Sequence, residues 1–459
     1  MYPNRLRLIN SIQTSLLIEF ESDQWLAAVI SETFPSMATA REENAFRPSQ
    51  LPARDKAGMS QSLYPPRFWL VLTMLLVFSV VLKLPTLYFS HAEADEQVYL
   101  SLAERLLTSG SYNLEGTEII SQLSPGIYDH PLFFHPPLFP ACLVPFVYWN
   151  AEQFAVLVSW LGHALCILAV ALIGRRMAFA SGLDSERNSM VQWLPVIGVC
   201  LDPLLLFLSR KLWIDSLLTG LCAASIATFF CARYSRRRSL WLVVAGVLFG
   251  LAGLSKMPAL ILTPVVVYLI LTPDGPPRSR VKDLCLGCLP ALLLVAPWYI
   301  AFYHTYGVLI PSWIKPDAWS VEHYPFVQVA LERTPAYYFL KLIAIAPVSL
   351  LAFGVYAMRR SLWISRFSLV PAIWFLVCII TISYLGVQGQ GFQMRYIALL
   401  VPSIYLMLYA FLDRFRHDFV SIGVLLLLIY GGMTGAVNLA TQDLDEVDSP
   451  IEQMGLLRP

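Results

Sequence analysis

Charged residues are scarce in this sequence and almost balanced in sign. They make up 14% of the 459 residues, and 32 Lys and Arg against 31 Asp and Glu leave a formal net charge of +1. This balance argues against a nucleic-acid partner. The eight cysteines give no useful pairing pattern, since most lie inside apolar runs, where cysteine packs as a small hydrophobic residue. Cys285 and Cys288 have the spacing of a redox pair, but they begin an apolar helix, which argues against a redox or metal role.

The first 66 residues are polar and show no signal-peptide pattern, because no small-residue cleavage site follows an apolar core. We expect residues 1–66 to form a flexible cytoplasmic extension. The sequence as a whole is strongly apolar, with 57% hydrophobic residues and a mean hydropathy of +0.61. We therefore predict an all-α polytopic membrane protein, with a transmembrane domain over 67–440 and a tail over 441–459.

About eleven apolar segments are long enough to cross a membrane. They lie near 67–89, 152–174, 190–209, 213–232, 239–255, 258–272, 284–303, 337–357, 367–385, 396–412 and 419–440. The short turns assigned to the cytoplasm carry more Lys and Arg than the opposite side, so the positive-inside rule puts the N-terminus inside. The two long polar loops, 90–151 and 304–336, then lie on the extracytoplasmic face. We expect the first loop to contain amphipathic interfacial helices.

The first polar loop is the segment around which the chain is organised. Three acids, Glu93, Asp95 and Glu96, begin it just after the first span, and an amphipathic helix follows them. His135-Pro136-Pro137-Leu138 lies near its end, where the prolines fix φ and stiffen the chain. Asp215 lies at another span end on the same face. A charge at the bilayer centre costs about 2.5–3.5 kcal/mol or more, so acids at the interface can stay ionised and act as bases.

Six segments, in this order, resemble those of the GT-C superfamily of membrane glycosyltransferases. They are ADEQVY at 94–99, HPPL at 135–138, WIDSLL at 213–218, GLAGLSK at 250–256, TPAYY at 334–338, and Arg395-Tyr396 with Pro402. The similarity is to bacterial relatives of the dolichyl-phosphate-mannose protein mannosyltransferases, including aminoarabinose transferases. No single motif is specific, but the ordered set on an eleven-span scaffold is.

The resemblance implies inverting transfer of a sugar from a polyprenyl-phosphate-linked donor to a lipid, glycan or protein acceptor. The reaction would take place on the extracytoplasmic face of the plasma membrane. The resemblance also implies that Asp95 is the base that deprotonates the acceptor, and that later basic residues hold the donor phosphate. Two departures limit the transfer of detail. His135 stands where aminoarabinose transferases have lysine, and we find no counterpart of the extra soluble domain that protein O-mannosyltransferases usually carry.

Each acid of the predicted site also has a structural interpretation. Asp95 could cap the helix that follows it, which aspartate does well. Glu96 is interpreted as a supporting hydrogen-bonding residue or as half of a salt bridge. Asp215 follows Arg210 and Lys211, so it could form a surface ion pair worth about 0–1 kcal/mol. Alternatively, Asp215 is a second acid that orients the acceptor or a metal.

Five residues are predicted to contact the substrate: Tyr99, His135, Lys256, Arg395 and Tyr396. His135, when protonated, could contact the leaving phosphate; it could instead hydrogen-bond a sugar or only stiffen the turn. Lys256 could bind phosphate or snorkel to the interface. Arg395 begins a span, where an unpaired cation is costly, and a bidentate grip on the donor phosphate would account for it. Tyr396 could equally be an interfacial aromatic residue.

A divalent metal ion is a candidate cofactor. Asp129 and His130 are close in sequence and could join Asp95 in a metal site. Their spacing is not a recognised ligand pattern, so the sequence leaves metal dependence open.

A transporter or a flippase for lipid-linked sugars is the main alternative function, and a non-catalytic membrane scaffold is the second. Transporters tend to show internal repeats and ionisable residues at mid-membrane. The sequence shows no convincing repeat, and Asp202 comes nearest to a mid-span carboxylate. A scaffold would not need acids clustered on one face beside an interfacial helix. Membrane lipid is an expected partner in every case.

Overall fold

The chain is all-α in the residues that the computed structural model describes: 64–88, 94–122, 131–181, 191–233, 235, 237–272, 277–309, 337–359, 362, 366–386, 394–415 and 418–440. These residues contain fifteen α-helices. Their bounds are Pro66–Lys83 (α1), Ala94–Thr108 (α2), Leu138–Tyr148 (α3), Leu157–Ser181 (α4), Leu194–Cys200 (α5), Pro203–Ser209 (α6), Ile214–Ala232 (α7), Arg238–Ser255 (α8), Thr263–Leu271 (α9), Pro277–Tyr306 (α10), Tyr337–Ile345 (α11), Val348–Met358 (α12), Arg366–Leu385 (α13), Val401–Arg414 (α14) and Asp418–Ala440 (α15).

Seven single helices in this part of the chain are long and apolar enough to cross a membrane. An eighth crossing results if α11 and α12, which meet at a bend of 114°, count as one span. The predicted polytopic all-α class is confirmed, whereas the count of eleven spans is not. The predicted span 190–209 is divided between α5 and α6, and the predicted span 258–272 is the shorter apolar segment Met257–Leu271.

The break between α5 and α6 follows from the local sequence. Pro203 has no N–H to continue the preceding helix, and it occupies the first position of α6, where that N–H is not needed. Asp202 caps α6, and its Oδ1 accepts the backbone N–H groups of Leu204 (3.0 Å) and Leu205 (2.9 Å). Its Oδ2 accepts the Tyr405 hydroxyl at 3.0 Å. Both oxygens of this buried carboxylate therefore serve helix capping and packing.

Helices α4 and α7 cross at very short range because glycine stands at the contact. A Cβ atom on Gly162 would overlap the Ser216 carbonyl, and one on Gly220 would overlap the backbone of Gly162. Two hydroxyl bonds extend the contact: Ser216 Oγ donates to the Ser159 carbonyl at 2.6 Å, and Ser159 Oγ donates to the Lys211 carbonyl at 2.7 Å. The crossing therefore fixes the N-terminal end of α7.

A second close helix pair, α8 and α10, fixes the C-terminal end of α8. A Cβ on Gly246 would overlap the carbonyl oxygen of Gly287, and one on Gly250 would lie 2.9 Å from Cα of Ala291. Much of the rest of α10 is exposed, including Leu292, and this outward apolar face suits contact with lipid.

Helix α14 lies in the interior of the bundle, and a 3-10 segment, Met394–Leu400, leads into it. Trp374 on α13 is fully buried and donates its indole N–H to the Leu399 carbonyl at 2.8 Å. This bond holds the segment against α13 and so fixes the position of Arg395 near its start.

Candidate active site

Four charged residues from distant parts of the chain form one network. Arg395 Nη1 donates to Asp95 Oδ2 at 2.5 Å, and Arg395 Nε lies 3.9 Å from Asp215 Oδ2. Lys256 Nζ donates to Asp215 Oδ1 at 2.9 Å. The charges alternate in sign along the order Asp95, Arg395, Asp215, Lys256, and the first pair is 300 residues apart in sequence. Four of the segments that resemble the family therefore meet in this network.

Each charge stands at the end of a helical element. Asp95 is in the first turn of α2 and Asp215 in the first turn of α7, where the helix dipole favours a negative charge. Lys256 is the C-cap of α8, with extended backbone (φ −158°, ψ 144°). Because α2 begins at Ala94, Asp95 lies inside the helix, and its side chain binds Arg395. The alternative that Asp95 caps this helix is therefore not supported.

Glu96 joins α2 to the turn that precedes α7. Its side chain is buried, and its Oε1 accepts the Leu212 N–H at 2.8 Å. Arg210 and Lys211 in this turn are also buried, with exposed fractions of 2% and 5%. Asp215 is equally enclosed and pairs with Lys256, so the exposed surface ion pair considered from the sequence is not what forms here. Glu96 has the geometry of the supporting hydrogen-bonding residue.

The two aspartates differ in access. The Asp95 side chain is 46% exposed, whereas that of Asp215 is 3% exposed. Partial desolvation raises the pKa of Asp95, but the charge and hydrogen bond of Arg395, assisted by the Lys256 charge, outweigh it and hold the pKa below its usual range. Asp95 is therefore an ionised carboxylate at neutral pH that a substrate can reach.

His135 lies among aromatic rings close to the four charges. Its ring centroid is 4.2 Å from that of Phe134, 5.7 Å from that of Phe133 and 6.4 Å from that of Tyr99. Burial and the positive charge of Lys256 lower its pKa well below the usual value. The imidazole is therefore neutral at pH 7, which disfavours the interpretation of a protonated His135 contacting phosphate. A hydrogen bond from the neutral ring remains available.

Two tyrosines hold the loop that presents His135. Tyr112 donates its hydroxyl to the Pro136 carbonyl at 3.1 Å, and Tyr306, at the end of α10, donates to the Leu132 carbonyl at 2.5 Å. Both hydrogen bonds come from residues outside the HPPL motif, so the motif itself does not predict them.

Aromatic faces complete the cluster. The Lys256 Nζ atom lies 5.0 Å from the Tyr396 ring centroid, and the Arg395 guanidinium lies 5.2 Å from the Trp213 ring. Tyr99 is buried and packs edge-on against Phe139 at 5.2 Å. Tyr99 and Tyr396 thus lie beside the charge network, and their role in substrate binding stays a prediction. Trp213 was part of a predicted motif but was given no role from the sequence.

The candidate metal site lies outside the described residues, since Asp129 and His130 fall in the undescribed segment 123–130. Within the described ranges, no group of three or more His, Cys, Asp or Glu side chains is arranged to hold a metal ion. The predicted loop 304–336 is described only as far as residue 309.

These features define a multi-pass membrane protein with a partly buried, charge-alternating site at its helix ends. Its fold is similar to two crystal structures of ArnT from Cupriavidus metallidurans, one in the apo state and one bound to undecaprenyl phosphate. Both give a TM-score of 0.54 at 18% sequence identity. The alignments cover 80% and 81% of this chain, and only 62% and 63% of the ArnT chains.

A family model described as dolichyl-phosphate-mannose-protein mannosyltransferase matches residues 135–300. The matched segment contains His135, Asp215 and Lys256, whereas Asp95 and Arg395 lie outside it. Comparison with curated proteins gives no match. The fold and the matched segment confirm the resemblance to GT-C membrane glycosyltransferases.

Proposed function

We propose that the protein transfers a sugar from a polyprenyl-phosphate-linked donor to a hydroxyl group of a lipid, glycan or protein. The observation that carries this proposal is the network of two carboxylates and two cations at helix ends. Support also comes from the GT-C-like fold and from the similar ArnT structure that is bound to undecaprenyl phosphate. The positive-inside rule supports an extracytoplasmic site in a plasma-membrane protein.

Asp95 is the base of the proposed reaction, because it is the ionised acid of the network with an accessible side chain. It accepts the proton of the acceptor hydroxyl as that oxygen bonds to the anomeric carbon. The bond between the anomeric carbon and the phosphate oxygen breaks, and its electron pair leaves with the polyprenyl phosphate. Attack opposite the leaving group inverts the anomeric configuration. Base catalysis of this kind typically contributes 10²–10⁴ in rate.

Arg395 and Lys256 stabilise the departing phosphate in this proposal. Before the donor binds, Arg395 pairs with both Asp95 and Asp215. A donor phosphate offers its guanidinium a further anion, which weakens its hold on Asp95. Donor binding therefore raises the pKa of Asp95 and makes it a stronger base.

His135, Tyr99 and Tyr396 line the sugar-binding region in the same proposal. The low pKa of His135 favours a neutral hydrogen bond to a sugar hydroxyl. Tyr99 keeps its proton, since burial and the Asp95 charge raise its pKa well above the usual value. Both groups recognise the substrate without adding charge.

Substitution of Asp95 by Asn tests the proposal. Purified wild type and D95N are reconstituted in vesicles with undecaprenyl-phosphate-linked sugars, and transfer is followed by mass spectrometry. We expect D95N to lose at least about 10²-fold in rate while it keeps the wild-type melting temperature. D283N is the matched control, because Asp283 pairs at 2.9 Å with Arg238, at the opposite end of α8 from Lys256. Transfer by D95N at the wild-type rate would refute the role of Asp95.

A further inference from the structure

Trp213 carries a buried hydrogen-bond donor that the described part of the chain does not satisfy. Its indole Nε1 is buried and makes no hydrogen bond to a described residue. Two residues further on, the Oδ2 atom of Asp215 is a buried acceptor, likewise without a hydrogen bond within the described ranges. Burying a polar group without a hydrogen bond is destabilising, and the 3.9 Å contact between Arg395 Nε and Asp215 Oδ2 is too long to be one, so both atoms require an explanation.

The fold satisfies the buried indole N–H of Trp374 but leaves those of Trp160, Trp213 and Trp298 without a hydrogen bond to a described residue. Trp374 donates to the Leu399 carbonyl at 2.8 Å, and that bond has a clear structural use. Trp213 packs its ring against Phe207, with 5.8 Å between the ring centroids, but its N–H has no such use among the described residues. Packing alone would be served as well by phenylalanine.

The ring of Trp213 lies within the charge network. Trp213 is the N-cap of α7, and Asp215 is in the first turn of the same helix. The Arg395 guanidinium is 5.2 Å from its ring centroid, and Lys211 Nζ is 5.6 Å away. These contacts use the face of the ring and not the N–H at its edge.

The two unsatisfied atoms differ in chemistry, and together they restrict the ligand. Trp213 Nε1 can only donate, whereas the Asp215 carboxylate can only accept. A phosphate oxygen placed directly against Asp215 Oδ2 would be repelled by its like charge. A prenyl chain offers neither a donor nor an acceptor. Sugar hydroxyls both donate and accept, so neighbouring hydroxyls on one sugar ring satisfy the pair.

We infer that Trp213 determines specificity for the sugar of the donor. Its Nε1–H donates to one sugar oxygen while Asp215 Oδ2 accepts from a neighbouring hydroxyl. The inference rests on the proposed function and adds to it a residue that recognises the sugar and not the lipid phosphate. A site with unsatisfied polar groups rejects a substrate that lacks the matching hydroxyl.

Trp213→Phe tests the inference, because it keeps the aromatic face and removes only the N–H. Transfer is measured from undecaprenyl phosphate linked to mannose, glucose or aminoarabinose, and the best wild-type donor is then compared with its monodeoxy analogues. We expect kcat/KM for that donor to fall about three- to tenfold in the variant. Wild type should discriminate against one deoxy analogue, and the variant should lose that discrimination. Binding of sugar-free undecaprenyl phosphate should stay unchanged.

Trp160→Phe is the matched control. The Trp160 Nε1 atom is also buried without a hydrogen bond to a described residue, and a cation, Lys83 Nζ, lies 5.8 Å from its ring. Trp160 thus shares the chemistry of Trp213 but contacts none of the four network charges in the described structure. We expect Trp160→Phe to retain wild-type kcat/KM and wild-type discrimination.

Three results would overturn the inference. One is wild-type kcat/KM and discrimination in Trp213→Phe, which would mean that the N–H does not bind the sugar. Another is an equal loss of affinity for sugar-free undecaprenyl phosphate, which would indicate general damage to the site. If wild type transfers no sugar from any of the three donors, the proposed function itself fails. That result is distinct from the first two, both of which require an active wild-type protein.

Discussion

Replacement of Arg395 by Gln should change the pH dependence of transfer. Asp95 must be deprotonated to act as the base, so activity falls as the pH drops through its pKa. Arg395 lowers that pKa by its charge and by its hydrogen bond, whereas desolvation raises it. R395Q removes the first two effects and leaves the third. The acidic limb of log(kcat/KM) should therefore move to higher pH.

The size of the shift follows from the geometry of the pair. Two unit charges about 4 Å apart, at an effective dielectric constant of about 20, interact by about 4 kcal/mol. The Asp95 side chain is 46% exposed and that of Arg395 is 20% exposed, so solvent screens the pair. With that screening, the pKa of Asp95 should rise in R395Q by less than this unscreened energy implies.

The assay is kcat/KM for transfer from an undecaprenyl-phosphate-linked sugar in vesicles, measured from acidic to alkaline pH. R395Q should also lower the plateau, by about 10²–10³-fold if Arg395 stabilises the departing phosphate. R238Q is the matched control, since Arg238 forms another arginine–aspartate pair that shares no residue with the site. A lower plateau with an unmoved acidic limb would show that Asp95 is not the titrating base, and the reasoning would be wrong.

Two further predictions concern the scaffold of the site. G162A should be less stable than wild type by about 1–3 kcal/mol, and so melt at a lower temperature, because the added methyl group would overlap Ser216. G354A is the control: its added methyl group would meet nothing within 4 Å, so it should melt like wild type. A G162A melting curve equal to that of wild type would contradict this prediction. K256M should cost about 3–5 kcal/mol, because it leaves the buried Asp215 with only its 3.9 Å contact to Arg395, whereas K256M/D215L should recover most of that loss. Additive losses in that double-mutant cycle would show that the two residues are not coupled.

Local sequence patterns predicted the helices well but not their interruptions. Apolar runs identified α1, α4, α7, α8 and α10, because each buries or exposes a long continuous hydrophobic surface. The break at Asp202-Pro203 has a clear local signal, an N-cap residue before a proline. The average hydropathy of 190–209 does not register this break, so the sequence predicted one continuous span. Asp202, which came nearest to supporting a transporter, proved to have a capping role.

The contacts of the site could not be derived from periodicity. Asp95 and Arg395 are 300 residues apart, and only the resemblance to a family grouped them before the structure did. The neutral state of His135 depends on burial and on Lys256, neither of which the HPPL motif reveals. The unsatisfied N–H of Trp213 can be recognised only when its surroundings are known.

The alternation of charge in the network suits the proposed chemistry for an electrostatic reason. Asp95, Arg395, Asp215 and Lys256 together carry no formal net charge, which limits the cost of placing four ions at helix ends. In the proposed step, the proton that reaches Asp95 neutralises one carboxylate while the departing phosphate gains one negative charge. The total charge of the site is therefore unchanged. Asp95 beside Arg395 becomes neutral as the departing phosphate gains negative charge. The field of Arg395 therefore acts most strongly on the phosphate in the transition state, which is the condition for catalysis rather than for tight donor binding.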